Sequence, residues 1–176
     1  MLVEPTVAVR ESFLAAMQEF AAAGRAGDNT MVGSDLAKWA GRWDTDDGFA
    51  VYVAAVLRDR EEGAPRDPGW VPCTTLWWID GSVYLGRVAI RHRLTPALRE
   101  HGGHIGYDVR WSARRQGNAT AMLAAALPVA AGLGIDLALV TCDDTNVASR
   151  KVIEANGGVL EDQYGVKLCY WVPTSA

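Results

Sequence analysis

The chain has 176 residues, of which 49% are hydrophobic, and this composition predicts one globular domain with a sizeable core. Its 17 basic and 21 acidic residues give a net charge of −4, which argues against a nucleic-acid-binding surface. No segment has the unbroken apolar length of a membrane span, and charged residues interrupt the first 25 positions where a signal core would lie. We therefore expect a cytoplasmic protein with no nucleic-acid or membrane partner. The three cysteines are far apart, which predicts free thiols and no metal site.

The first third of the chain has the apolar spacing of helices. A first helix is predicted over residues 7–23, and shorter stripes follow over residues 36–43, after a Ser34 cap, and 49–57. The segment 24–48 is long and rich in Gly and Asp, yet it carries two tryptophans. Because long structured connections in compact domains are often binding loops, we expect a ligand pocket in this segment.

The rest of the chain alternates predicted strands and helices. A tight turn at Asp80-Gly81 joins two strands, 73–80 and 83–91. The strand 104–109 then leads through a polar turn into a helix rich in Ala and Leu, which should kink or end at Pro128 because proline has no N–H. The remaining predicted elements are a strand at 135–142, a helix at 145–156 and two strands at 159–162 and 166–172.

The turn between strand 104–109 and the following helix predicts an anion site. Backbone N–H groups at a helix start have no partner and lie at the positive end of the helix dipole, and a glycine there lets an anion approach closely. The chain has neither the Gly-rich loop with Lys and Ser/Thr of nucleoside triphosphatases nor a dinucleotide-binding Gly-x-Gly-x-x-Gly. It does have Arg-x-x-Gly-x-Ala at Arg114, Gly117 and Ala119, which resembles the pyrophosphate-binding turn of the acetyl-CoA-dependent N-acetyltransferases of the GNAT superfamily.

The order of the segments around this turn is also similar to that superfamily, from about residue 69 to the C-terminus. The helix that begins Asn146-Val-Ala-Ser149 and ends in Asn-Gly resembles the superfamily's Asn-x-x-Ser helix. The run Gly-Gly-His-Ile-Gly-Tyr at residues 102–107 resembles a bacterial branch whose substrates are mostly unassigned.

The resemblance implies an α/β fold, with a mixed, mainly antiparallel twisted sheet flanked by helices. It implies one domain, in which residues 1–68 form a helical acceptor-side region and residues 69–176 bind acetyl-CoA. Acetyl transfer to a primary amine in a ternary complex is the implied activity. The residues implied to bind acetyl-CoA are Val109, Arg114, Arg115, Gln116, Gly117, Asn118, Ala119, Thr120, Asn146 and Ser149.

For the acceptor we predict a small cationic amine, such as an aminoglycoside or a polyamine. The candidate binding residues are acidic or aromatic: Trp39, Trp43, Asp44, Asp46, Asp47, Trp78 and Tyr84. The alternative is that the aspartates are helix-start acids and the tryptophans pack in the core. Acetylation of a protein N-terminus or lysine, and non-catalytic sensing of acyl-CoA, are the rival functions. The protein is expected to be a monomer or a homodimer.

For the chemistry we predict His104 as the base, because histidine titrates near neutrality and this one lies on the strand before the anion turn. The alternative is a buried histidine satisfied by the backbone. Many superfamily members carry a tyrosine acid seven residues after the helix-start asparagine, where this chain has Ile153. Tyr107, Tyr84 or water could replace it as the acid that protonates the leaving thiolate, or the thiolate could leave unassisted beside backbone donors.

Overall fold

A computed structural model describes residues 1–175, which form an open seven-stranded sheet with helices on both faces. The spatial strand order is β1-β2-β3-β4-β5-β7-β6. The strands are β1 (Leu2–Val3), β2 (Cys73–Asp80), β3 (Val83–Arg91), β4 (Ile105–Val109), β5 (Leu137–Asp143), β6 (Val159–Tyr164) and β7 (Lys167–Pro173). The α-helices are α1 (Arg10–Ala22), α2 (Met31–Trp39), α3 (Asp46–Arg58), α4 (Pro96–Glu100), α5 (Asn118–Gly132) and α6 (Val147–Ala155). The mixed, mainly antiparallel fold predicted from the sequence is confirmed.

The helix starts follow from local capping. The Thr30 hydroxyl accepts the Gly33 N–H at 3.1 Å, and Thr45 accepts the Gly48 N–H at the same distance. As a result α2 begins at Met31, and Ser34, predicted to cap it, lies inside the helix. The sequence patterns also missed the two-residue strand β1 and the short helix α4.

The prediction that the central helix kinks or ends at Pro128 was wrong about its end, because α5 continues through Pro128 to Gly132. Proline inside a helix costs about 3 kcal/mol through its missing N–H and its ring. Leu127 and Ala130 flank it and are both buried in the core. Their burial offsets the cost, so tertiary packing outweighs the local preference of proline.

A β-bulge in the β2–β3 hairpin decides which side chains of β3 lie on which face of the sheet. Ile79 pairs with Tyr84 but Trp78 pairs with Gly86, so Leu85 is an extra residue on β3. Beyond the bulge, Val88 and Ile90 pack in the core under α5. Arg87, Ala89 and Arg91 therefore lie on the opposite face. We call these two sides the α5 face and the α1 face.

Each face carries its own hydrophobic core. The core of the α5 face is aliphatic and includes residues of β4, α5, β5, α6 and β7. The core of the α1 face is aromatic, with Phe13 of α1 at its centre, within 5.3 Å (ring centroids) of Trp43, Phe49, Tyr52, Trp77 and Tyr84. These two cores hold the sheet rigid between them. Within residues 1–175 no helix combines the length and apolar character needed to cross a bilayer.

The sheet opens between β4 and β5, its one parallel pair. The two strands are in register only at Ile105 and Val140. Towards their carboxyl ends they diverge, so that Gly106 to Val109 of β4 pair with β3 but not with β5. The result is a wedge-shaped gap through the sheet, which leads to the turn at the start of α5.

Candidate active site

The turn between β4 and α5 presents a row of unsatisfied backbone donors. After Arg114, whose N–H donates to the Trp111 oxygen, the next N–H to bond an upstream carbonyl is that of Ala121, which donates to the Gly117 oxygen at 3.0 Å. The N–H groups from Arg115 to Thr120 have no hydrogen-bond acceptor among the described residues. Arg115 and Gly117 both have positive φ angles, 61° and 78°. Alternation of left- and right-handed backbone curls successive N–H groups into a concavity that suits an anion.

Open space lies in front of this concavity. A Cβ built on Gly117 would have no neighbouring atom within 4 Å. Arg114 and Arg115, both exposed, add positive charge beside it. The concavity therefore has the shape, the donors and the charge to hold a pyrophosphate. The residues predicted from the sequence to bind the cofactor, from Val109 to Thr120, are brought together here.

Hydrogen bonds from side chains hold the turn in place. The Trp78 indole N–H donates to Asn118 Oδ1 at 3.0 Å, and Asn118 Nδ2 donates to the Ala113 oxygen at 2.9 Å. Arg114 Nε donates to the Val109 oxygen at 3.2 Å. Trp78, predicted to bind the acceptor, lies on the α5 face and contacts the turn. Through this contact Trp78 positions the turn. Both side-chain groups of Asn118 are bonded within the protein, so the group of Asn118 that remains free for an anion is its backbone N–H.

His104 lies where β4 and β5 begin to separate. The His104 Nδ1 accepts the Leu139 N–H at 3.0 Å, while the backbone N–H of His104 donates to the Leu139 carbonyl oxygen at 2.7 Å. A neutral imidazole has one lone pair, and here the backbone occupies it. Burial, together with the nearby charges of Arg91 and Arg99, lowers the pKa of His104 to about 4. The predicted base therefore has no free basic nitrogen, and His104 instead satisfies a strand N–H at the edge of the gap.

Tyr107 connects β4 to α6 on the α5 face of the gap. Its hydroxyl lies 2.7 Å from Ser149 Oγ and 3.4 Å from the Ser149 carbonyl oxygen, to which it can donate. Burial raises the pKa of Tyr107 to about 12, although the hydrogen bond with Ser149 opposes this shift, so the hydroxyl keeps its proton at neutral pH. Asn146 caps α6 by accepting the Ser149 N–H at 3.0 Å. Ile153, where the superfamily tyrosine would stand, is fully buried in the core.

On the α1 face, the loop between α1 and α2 reaches over β4. Arg25 donates to Asp108 Oδ1 at 2.9 Å and also pairs with Asp28. Although burial opposes its charge, Asp108 and Asp28 raise the pKa of Arg25. Met31 covers Gly106, because a Cβ on this glycine would lie 3.4 Å from Met31 Cε. This side of the gap is thus lined by a carboxylate, an arginine and a methionine to which the sequence analysis gave no role.

On the same α1 face, across the gap from Met31, α4 and the residues after it close the groove. The Gly102 N–H donates to Thr141 Oγ1 of β5 at 3.0 Å. Arg91 Nη1 donates to the carbonyl oxygens of Gly102 and Gly103 at 3.0 and 3.2 Å. The α1 face of the gap is therefore a groove between two loops, with Gly106 and Asp108 in its floor. Alternation along β4 could have pointed to Asp108, but the bulge hid the orientation of Arg91.

The other residues predicted to bind the acceptor lie away from this groove. Trp39, Trp43 and Tyr84 are buried in the aromatic core, with relative exposures of 7%, 3% and 0%. Asp44, Asp46 and Asp47 are exposed; Asp46 and Asp47 lie in the first turn of α3, where Arg10 pairs with Asp46 at 2.9 Å. A shallow depression joins Asp46 and Asp47 to Val83 at the hairpin end of β3. Val83 precedes Arg87, the β3 partner of Asp108, by four residues, so the depression ends about 13 Å from Asp108 along the strand at 3.3 Å per residue.

A family model described as an acetyltransferase (GNAT) domain matches residues 18–159 of the chain. No curated protein sequence matches it. Among solved structures, a PaiA N-acetyltransferase from Thermoplasma acidophilum in complex with coenzyme A has a TM-score of 0.60 at 10% identity, covering 98% of both chains.

Two further solved structures have the same fold. The microcin C7 self-immunity acetyltransferase MccE, in complex with acetyl-CoA and AMP, has a TM-score of 0.61 at 13% identity, covering 98% of this chain and 91% of that one. RimL, a ribosomal L7/L12 alpha-N-protein acetyltransferase in complex with coenzyme A, has a TM-score of 0.63 at 16% identity, with coverages of 98% and 92%.

Proposed function

Because this chain belongs to the acetyltransferase (GNAT) domain family, whose enzymes take the acetyl group from acetyl-CoA, we propose that it acetylates the amine of a small molecule held in the groove on the α1 face. Residues 69–176 supply the acetyl-CoA site in this proposal. Residues 1–68 supply the loop that closes over the acceptor through Arg25 and Met31.

The row of free N–H groups from Arg115 to Thr120 carries the proposal. An anion in the concavity satisfies donors that are otherwise left to solvent, and the helix dipole of α5 adds to the attraction. The concavity stands at the carboxyl end of β4, at the mouth of the gap between β4 and β5. A pyrophosphate bound there directs the remainder of the same molecule into the gap.

Acetyl-CoA supplies an activated acyl group as a thioester. On the α5 face, Tyr107 and Ser149 hold a proton at the gap, positioned to hydrogen-bond a departing thiolate. On the α1 face, Asp108 Oδ2 accepts no hydrogen bond from the described residues and is available to take a proton from the attacking amine, directly or through water. The two groups lie on opposite faces of the same strand, as transfer through the gap requires.

The enclosure of the groove favours a small acceptor. Met31, the first residue of α2, contacts β4 at Gly106, and the Gly102 N–H bonds Thr141 of β5, and we infer that the acceptor bound between these two segments is small. Asp46 and Asp47, on which the aminoglycoside hypothesis partly rested, line a depression at the hairpin end of β3 and not this groove, so an aminoglycoside remains one candidate among small amines. A protein N-terminus is the rival among acceptors, because RimL, which shares the fold, is an alpha-N-protein acetyltransferase.

Calorimetric titration with CoA, followed by thiol release from acetyl-CoA with an amine panel, tests the proposal. The panel holds small amines, amino acids, aminoglycosides and peptides with free N-termini. We expect CoA binding and turnover of small amines. Turnover of peptides alone would assign a protein acceptor, and CoA binding without turnover of any amine would indicate a non-catalytic acyl-CoA sensor.

A further inference from the structure

Arg91 places an unpaired guanidinium in the floor of the groove. It is the last residue of β3, and its side chain lies over Gly106 of β4. A Cβ on Gly106 would lie 3.6 Å from Nη1 and 3.9 Å from Nη2 of Arg91. Nη1 donates to the Gly102 and Gly103 oxygens. The Nε and Nη2 donors have no acceptor within residues 1–175, so most of the donor capacity of this side chain is unused.

Two other arginines of the α1 face, Arg25 and Arg87, are neutralised. Arg25 pairs with Asp28 and Asp108, and Arg87 pairs with Asp35. In the described part of the chain no carboxylate pairs with Arg91, although the side chain is half-buried. Arg91 thus differs from Arg25 and Arg87, each of which has a carboxylate counter-ion.

The titratable groups that act on the pKa of Arg91 are Cys73 and Arg87, and neither carries a negative charge. The nearby Cys73 is a buried thiol whose pKa burial raises to about 11, so it is neutral at physiological pH. Burial, with Arg87 adding positive charge, lowers the pKa of Arg91. Met31, which contacts the same glycine, is the first residue of α2, so the positive end of that helix also lies at the groove. A half-buried cation in such a place is costly unless an anion accompanies it.

We propose that Arg91 binds a carboxylate of the acceptor, so that the substrate is a small amino-acid-like molecule carrying both an amine and an anionic group. This inference rests on the proposed function, since it assigns the chemistry of the acceptor for the same site. The planar guanidinium suits a carboxylate because two of its free N–H groups can bond both oxygens. The carbonyl groups of Gly102 and Gly103 fix its plane, which leaves Nη2 and Nε directed away from them.

Asp108 supplies the negative charge that would bind the amine of such a zwitterion. It lies two residues after Gly106 on the same face of β4, about 7 Å along the strand. Each charge-assisted hydrogen bond spans about 2.8 Å, so a molecule of amino-acid size can bond at both ends. Arg91 holds the carboxylate, and Asp108 receives the amine. The orientation places the amine at the gap, where β4 and β5 diverge.

The test compares acceptors that differ only in charge. Thiol release from acetyl-CoA is measured with the L-amino acids and with the matching L-amino acid amides, which keep the amine and lose the anion. Phosphoethanolamine and ethanolamine form a second pair, to separate a phosphate from a carboxylate. The variants are Arg91→Gln and Arg91→Lys, and Arg93→Gln is the matched control. Arg93 is exposed, two residues further along, and pairs with Glu62 at 2.7 Å outside the groove.

We expect the wild type to prefer the best amino acid over its amide by about 10- to 100-fold in kcat/KM, the range of charge-assisted hydrogen bonds. Arg91→Gln should abolish this preference, chiefly through KM for the amino acid, and Arg91→Lys should keep part of it. Arg93→Gln should keep all of it. A purely structural Arg91 would lower both activities equally and leave the ratio unchanged, which would overturn the proposal.

Two other outcomes separate this inference from the function it rests on. Turnover of amines with equal rates for amino acids and amides would refute the carboxylate site and leave the acetyltransferase intact. Preference for phosphoethanolamine over every amino acid would overturn the carboxylate assignment in favour of a phosphate. If no amine is turned over, amino acids and their amides are titrated into the CoA-saturated protein. Tighter binding of the amino acid supports the carboxylate site, and equal or absent binding of amino acid and amide refutes it.

Discussion

If the concavity at the start of α5 binds the pyrophosphate, a side chain at Gly117 should weaken CoA binding. The φ of 78° at Gly117 lies in the left-handed region, and a Cβ there would project from the turn that carries the free N–H groups into space with no other atom within 4 Å. Gly134, just after α5, has a φ of 80° and equally open surroundings. The pair Gly117→Ala and Gly134→Ala therefore introduces the same methyl group into the same backbone conformation, once inside the proposed anion site and once outside it.

The magnitudes follow from the two roles of the methyl group. A non-glycine residue in the left-handed region costs about 1–2 kcal/mol, and about 1 kcal/mol lowers the Tm of a domain of this size by about 2–4 °C. Both variants should therefore melt about 2–8 °C below the wild type. Only at Gly117 does the methyl group also displace the anion. Losing one charge-assisted hydrogen bond, about 1.5–3 kcal/mol, raises the Kd for CoA by about 10- to 100-fold.

Thermal unfolding and calorimetric titration with CoA measure the two effects separately. Similar Tm losses in both variants, with a higher Kd only in Gly117→Ala, are expected. Wild-type CoA affinity in Gly117→Ala, or an equal affinity loss in both variants, would contradict the placement of the pyrophosphate.

Three further predictions concern residues singled out from the sequence. Because the asparagine side-chain oxygen can replace Nδ1 as acceptor of the Leu139 N–H, His104→Asn should keep kcat near neutral pH. Since the pKa of His104 is about 4 in the folded state and 6.5 ordinarily, the wild type should lose stability in urea as the pH falls from 6.5 towards 4, and the variant should lose this dependence. Tyr107→Phe should lower kcat by about 100-fold without changing CoA affinity, and the wild-type kcat should show no loss from tyrosine ionisation below about pH 10. The double variant Asp46→Asn with Asp47→Asn should leave the acceptor KM unchanged. An increase in KM that becomes smaller at high salt would show that both residues contribute to acceptor binding.

Local chemistry explains why so much of the chain could be predicted. Glycine, proline and capping residues bound most of the elements through interactions within a few residues, so the order of all strands and helices except β1 and α4 was recoverable. The Arg-x-x-Gly-x-Ala pattern is likewise local, because Gly117 shapes the turn and the N–H groups belong to the turn itself. The helix continues through Pro128, which local chemistry did not predict, because the residues that bury its neighbours come from distant parts of the chain.

The acceptor groove depends instead on contacts between distant segments. Arg25 meets Asp108 across 83 positions of sequence, and Tyr107 meets Ser149 across 42. The extra residue Leu85 turns the later part of β3 over, which places Arg91 beside Gly106. A one-residue change of register moves every following side chain to the other face.

The sequence by itself therefore determined the order of the elements other than β1 and α4, and it located the turn with free N–H groups, because both depend on neighbouring residues. Only the tertiary structure decided how the gap between β4 and β5 is lined. There the Leu139 N–H occupies the lone pair of His104, and the bulge and the loop carbonyls direct the guanidinium of Arg91. Hydrogen bonds and packing between segments far apart in the chain fix these positions, and no local pattern encodes them.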